Sequence, residues 1–150
     1  MKNKIKTLLS IIIIFFFNIP LNSEEINYSS NSIKILQNGK IISGEGDVQI
    51  LVGENIFISS EKFEYNKETG LYKIFNDVQF KDNLNNINAS GSEFILSTFD
   101  NKILSKTKSK IIYNEIYNID LKSFEYDIAD RKISSNEFAK IEDDIDNYFE

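Results

Sequence analysis

Glu61 with Glu64, and Asp127 with Asp130, are the nearest this chain comes to the carboxylate pair of a glycosidase. In that chemistry one acid protonates the leaving oxygen and the other attacks or activates water. Spacing alone sets neither pair across a cleft, and solvated strand edges suit them better. Glu142-Asp143-Asp144-Ile145-Asp146 offers hard oxygen ligands, but it lacks the central glycine and terminal glutamate of a calcium loop and reads as an acidic turn. Ser43-Gly44-Glu45-Gly46 is no phosphate cradle, since no Lys-Ser/Thr follows it and no helix opens there. The chain has no His and no Cys. Ser-His-Asp and Cys-His nucleophiles, Cys/His zinc sites, thiolate redox chemistry and His-ligated haem are thereby excluded. The expectation is a protein that is not an enzyme, with no cofactor and no metal site.

If chemistry does not define the chain, the elements must. With 41% hydrophobic and 27% charged residues the composition is that of a globular protein with a core. Lys2-Asn3-Lys4-Ile5-Lys6 is a cationic n-region, Leu8 to Phe17 an apolar h-region broken by Ser10, and Pro20-Leu21-Asn22-Ser23 a helix break before Glu24. Residues 1–23 are therefore expected to be a secretory signal peptide, with an uncleaved anchor as the alternative, and residues 24–150 a single exported domain. The 17 basic residues less Lys2, Lys4 and Lys6 leave 14 against 23 acidic ones, a net charge of −9. Nucleic acid is then an unsuitable partner, because its phosphates are bound by cations. Lys106, Lys108 and Lys110 alternate, which in a strand puts all three on one solvated face.

Beyond residue 31 the chain repeats. Asp47-Val48-Gln49 recurs as Asp77-Val78-Gln79, and apolar-x-apolar elements start at Ile33, Phe63, Phe94 and Phe124, 30, 31 and 30 residues apart. Turn residues keep step in two series, Asn38-Gly39, Thr69-Gly70, Asp100-Asn101 and Asp130-Arg131, and half a period away Gly53-Glu54, Asp82-Asn83, Asn114-Glu115 and Asp143-Asp144. The unit is a pair of strands, and a fixed period implies units that bury their apolar faces only by stacking. Alternating segments rich in β-branched and aromatic residues fit strands and not helices. The pattern predicts an all-β fold, an antiparallel meander of strands up to about 10 residues long, curling into a sandwich or open roll. The inward positions expected are Ile33, Ile35, Val48, Ile50, Ile56, Ile58, Phe63, Tyr65, Val78, Phe80, Ile87, Ala89, Phe94, Leu96, Ile119, Leu121, Phe124 and Tyr126. Glu64, Ile95 and Glu125 are expected outside.

Gly46-Asp-Val-Gln-Ile50 and Asn76-Asp-Val-Gln-Phe80, each followed by apolar-x-apolar and an Asn/Asp/Gly turn behind a leader, resemble the OstA-like N-terminal domain family of lipopolysaccharide transport. That family includes the bridge protein LptA, the anchored LptC and the N-terminal domain of the translocon LptD, and the resemblance covers about 33 to 141. It implies a slightly twisted open β-jellyroll whose apolar groove holds acyl chains of lipopolysaccharide, stacked edge to edge with other such domains in a periplasmic, membrane-associated complex. On this reading Ile33, Ile35, Val48, Ile50, Ile56, Ile58, Phe63, Tyr65, Val78, Phe80, Phe94, Leu96, Leu121, Phe124 and Tyr126 form the lipid-binding groove. The large rings at 63, 65, 94, 124 and 126 would keep its wall partly open. Acidic charge repels phosphates, so affinity would rest on burying methylenes at about 0.8 kcal/mol each. The alternatives are a structural β-repeat adhesion protein of the cell envelope and, further off, a polysaccharide-acting enzyme. The strand opening at Tyr148-Phe149 is expected to continue in a longer chain, and the poorly defended strand at Ile33 to Leu36 is expected to accept a partner strand.

Overall fold

The computed structural model describes residues 25–143 and the backbone of Tyr148–Phe149; the predicted leader and most of the acidic run lie outside the described residues. The strands are β1 (Ile26–Ser29), β2 (Ser32–Leu36), β3 (Ile41–Val52), β4 (Ile56–Asn66), β5 (Leu71–Asp82), β6 (Ile87–Ser97), β7 (Lys102–Ser105), β8 (Ser109–Tyr113), β9 (Tyr117–Leu121), β10 (Phe124–Asp127), β11 (Lys132–Ser134), β12 (Lys140–Glu142) and β13 (Tyr148–Phe149). All pair antiparallel, mostly with their sequence neighbours, in one sheet. The long strands reach 11 or 12 residues, somewhat beyond the length expected from turn spacing.

The four long strands shift register along one line, and most of the shorter ones end on it. Gly46-Asp47 in β3 and Asn76-Asp77 in β5 all take positive φ and give their strand one more residue than its neighbours across the register shift. The repeated Asp-Val-Gln is thus the signature of a β-bulge, which bends and twists its strand. Asn31 fixes the first bulge, its N–H donating to Gly46 O and its Nδ2 to Asp47, both at 2.8 Å. On the same line the chain breaks between β1 and β2, between β7 and β8 at Lys106 to Lys108, and between β9 and β10. Lys106 and Lys108 therefore sit in a break and not in a strand, though all three lysines are exposed.

The line folds the sheet into two leaves. The first holds β1, β8, β9, β12 and residues 48–52, 56–59, 78–82 and 87–91; the second holds β2, β7, β10, β11 and residues 41–45, 62–66, 71–75 and 93–97. Their facing sides carry the alternating apolar residues, which pack into one core from Ile42 to Ile128. Rings meet across the leaves, Tyr28 on Phe63 at 5.1 Å between centroids and Phe80 on Tyr126 at 5.0 Å. Gly44 is required because a Cβ there would overlap the Phe63 ring. At the tips, the first turn N–H of one hairpin donates to the last turn carbonyl of the one before, Asn83 to Asn55 at 3.0 Å and Asn114 to Asn86 at 2.9 Å. The second turn series begins one residue later than expected in its second member, since Asp82 stays in β5 and the turn is 83–86.

Candidate functional site

Cross-strand partners in an antiparallel sheet share a face. On the second leaf the register therefore aligns Ile35, Ile42, Tyr65, Tyr72, Leu96, Ile103, Tyr126 and Ile133 in one inward row. On the first leaf it aligns Tyr28, Ile50, Ile58, Phe80, Ala89, Ile111, Ile119 and Ile141. Both rows run from the first edge of the roll to its last strands without a charged residue.

In the middle the rows are closed against each other. Val48, Ile50, Ile56, Ile58, Phe63, Val78, Phe80, Ile87, Ala89, Phe94, Leu96, Leu121, Phe124 and Tyr126 are all buried. Tyr65 and Ile119 are half-buried. The large rings fill the space between the leaves instead of holding it open, with Phe94 and Phe124 edge to face at 5.3 Å and Tyr65 stacked on Tyr72 at 4.1 Å. Burial between two leaves, which period-2 alternation cannot measure, is the reason.

At the ends the rows are covered less. Ile33 and Ile35 lie on the inward face by register but are 50% and 69% exposed, because β2 is an edge strand that the other leaf does not cover. Their expected burial is corrected accordingly. At the far end β11 and β12 part company, and between them lies a cavity of about 670 Å³. Ile87, Ile119, Leu121 and Ile141 line it from the first leaf and Ile133 from the second, with Tyr113, Arg131 and Lys132 at its rim. Ile133 escapes a sequence reading because its strand is only three residues long. Phe138 and Ile141 are expected to share the strand after Asp130-Arg131, but only Ile141 lies in one, and Phe138 is left exposed outside it.

Among the described residues one charged group interrupts the core. Asp82 continues the inward set Val78, Phe80 and is fully buried. Arg131 Nη1 donates to both its oxygens at 2.9 Å, Tyr126 O–H donates to Oδ2, and Leu84 N–H and Asn85 Nδ2 add bonds of 2.9 and 3.1 Å. Burial alone would push this carboxyl up, but the Tyr126, Leu84 and Arg131 donors together hold it below its ordinary range. Burial, reinforced by Asp82, pushes the Tyr126 phenol up. The cluster ties the end of β5 in the first leaf to β10 and the β10–β11 turn in the second. Continued alternation from Val78 and Phe80 could have signalled it, but the turn series sets Asp82 in a turn.

The candidate reactive pairs have structural roles. Asp127 accepts the Asp130 N–H at 2.9 Å within a turn, and Glu64 lies 3.7 Å from Lys62 on the outside. Ser43 to Gly46 run through β3, and Glu142 pairs with Lys140 at 2.5 Å. Among the described residues no three metal-binding side chains gather, and no helix is long and apolar enough to cross a membrane.

Fold and site together define an open, slightly twisted antiparallel β-jellyroll whose apolar interior can be reached from both ends. Among solved structures the chain is similar to LptH from Pseudomonas aeruginosa, described as the LptA-homologous periplasmic component of the lipopolysaccharide transport device, with a TM-score of 0.64 over 77% of this chain and 84% of that one. The two share 11% of their residues, so the likeness is one of fold. No protein-family model matches the chain, and no curated protein matches it in sequence.

Proposed function

We propose that this chain is a periplasmic module of lipopolysaccharide transport, which takes acyl chains into its apolar interior and stacks edge to edge with other OstA-like domains. What carries the reading is the pair of inward rows, apolar throughout, exposed at the β2 end and half-buried against a cavity at the β11–β12 end. A module whose apolar interior can be reached from two ends can hand an acyl chain on, whereas an ordinary core is closed all round. The similarity of fold to LptH supports it. Acyl chains pass between Ile119, Leu121, Ile133 and Ile141 at one end and Ile33 and Ile35 at the other. The buried middle set, including Phe63, Phe94, Phe124 and Tyr126, parts to let them pass. Affinity comes from methylene burial, since the net charge of −6 gives no general attraction for phosphates.

The test is a photo-crosslinking residue placed at Ile35, Ile119 or Ile133 in cells. Lipopolysaccharide is labelled from these positions and not from the outward positions Glu64 and Ile95. Equal labelling from both faces, or none from any, overturns the proposal. The exposed β2 edge also suits a structural β-repeat adhesion protein. Lipid that co-purifies with the chain separates the two, being expected only for the carrier.

A further inference from the structure

The glutamines of the repeated Asp-Val-Gln take no part in what has been described. Val48 and Val78 are core and Asp47 and Asp77 form bulges, but Gln49 and Gln79 are exposed on the outside of the first leaf. Register places them two strands apart in one row, Ser29, Gln49, Ser59, Gln79, Ser90. The next outward row is Asn27, Leu51, Phe57, Lys81, Asn88. Between and along these rows runs a groove of about 450 Å³, walled by Gln49, Ser59, Gln79, Leu51, Phe57 and Asn88 among others. Phe57 is 44% exposed in it.

The groove's chemistry is selective. Among the described residues that line it there is no carboxylate, in a chain with 23 acidic residues, and Lys81 is the one cation. Amide side chains present donors and acceptors together, and hydroxyls do the same. An exposed aromatic ring offers a flat apolar face beside them. A ligand matched to such a surface is uncharged, carries many hydroxyls that both donate and accept, and has an apolar face of its own. A pyranose ring has these properties. Gln49 and Gln79 stand about 10 Å apart at the usual strand spacing, which is close to the length of two linked sugar rings. Nucleic acid would demand cations, and a peptide strand would seek a sheet edge, which this face is not.

We propose that the outer groove of the first leaf is a binding site for a linear neutral oligosaccharide, with Phe57 stacking against a sugar ring and Gln49, Ser59 and Gln79 hydrogen-bonding successive hydroxyls. This site lies on the opposite side of the sheet from the acyl rows and stands independently of them. The test is calorimetric titration of the full chain with three probes, the hexasaccharides of α-1,4-glucose, β-1,4-glucose and β-1,4-N-acetylglucosamine. At least one binds with a Kd below about 1 mM. Phe57→Ala weakens it about tenfold or more, and Gln49→Ala with Gln79→Ala does the same, while Lys73→Ala on the outside of the second leaf leaves it unchanged. Circular dichroism melts keep loss of fold distinct from loss of ligand, and Phe57→Tyr, which retains the flat ring, preserves binding. Failure of all three probes, or binding that ignores both groove variants, overturns the proposal.

Discussion

Asp82 is the residue whose environment most constrains the molecule. A buried ion pair is weak evidence for stability, because the desolvation cost offsets much of the attraction, yet removing one partner exposes that cost in full. Here Asp82 would keep Tyr126, Leu84 and Asn85 as donors without Arg131. Arg131→Gln is therefore expected to cost about 1–3 kcal/mol, less than stripping a lone buried carboxylate. The pH dependence has a definite sign. Because the folded carboxyl titrates below the unfolded one, its stabilisation is complete above the unfolded value, near 3.9, and is lost as pH falls through that value toward the lower folded one. Melting temperatures measured between about pH 6 and pH 2.5 are expected to fall less steeply for Asp82→Asn than for the parent chain. Identical slopes would show that Asp82 does not titrate as described. The partner of this acid lies 49 residues away in sequence, beyond any local pattern. The sequence reading sets Asp82 in a turn, where an Asp is no misfit, so neither its inward strand position nor what satisfies it was legible.

At the scale of elements, phase was readable and depth was not. Strand alternation and the two turn series depend on nearest neighbours, so Phe63 and Phe94 could be set inside and Glu64 and Ile95 outside from types and spacing. Burial depends on what the opposite leaf covers, so Ile33 and Ile35 share the face of Phe63 and stay exposed. The motif at Asp47 and Asp77 was conspicuous as a repeat, while its role as a bulge required the register. That role makes a prediction. Asn76 has φ 63°, a region that Asn and Gly tolerate and β-branched residues do not. Asn76→Gly should be neutral or slightly stabilising, and Asn76→Val should lower stability by about 1–2 kcal/mol in chemical denaturation. If both variants unfold with the parent chain, the bulge is not a point of strain and the bend between leaves arises elsewhere.

For the whole molecule, the question is what happens at its edges. Among the described residues β1 and β2 pair only with β3, so there each leaf ends in a row of backbone groups with one side unpaired. Natural edges are shortened, charged, covered or used. β2 carries a single charge, Lys34, and the Glu45 carboxylate draws that charge sideways at 3.5 Å while also lying 3.4 Å from Lys62. Exposed pairs of this kind contribute little stability, and they leave Ile33, Ile35 and Leu36 undefended. An incoming strand that paired with β2 would extend the second-leaf row from Ile35 onto its own apolar residues, joining backbone pairing to continuity of the interior. Lys34→Pro and Ile35→Pro separate these effects, because successive N–H groups of an edge strand point alternately toward the sheet and away from it. One of the two prolines removes an N–H that serves only a partner, and that variant should keep its circular dichroism spectrum and lose end-to-end association in sedimentation at raised protein concentration. The other removes a bond to β3 and should loosen β2 itself. Association that survives in both variants, with the fold intact, would mean that β2 is a passive edge and that the molecule meets its partners elsewhere.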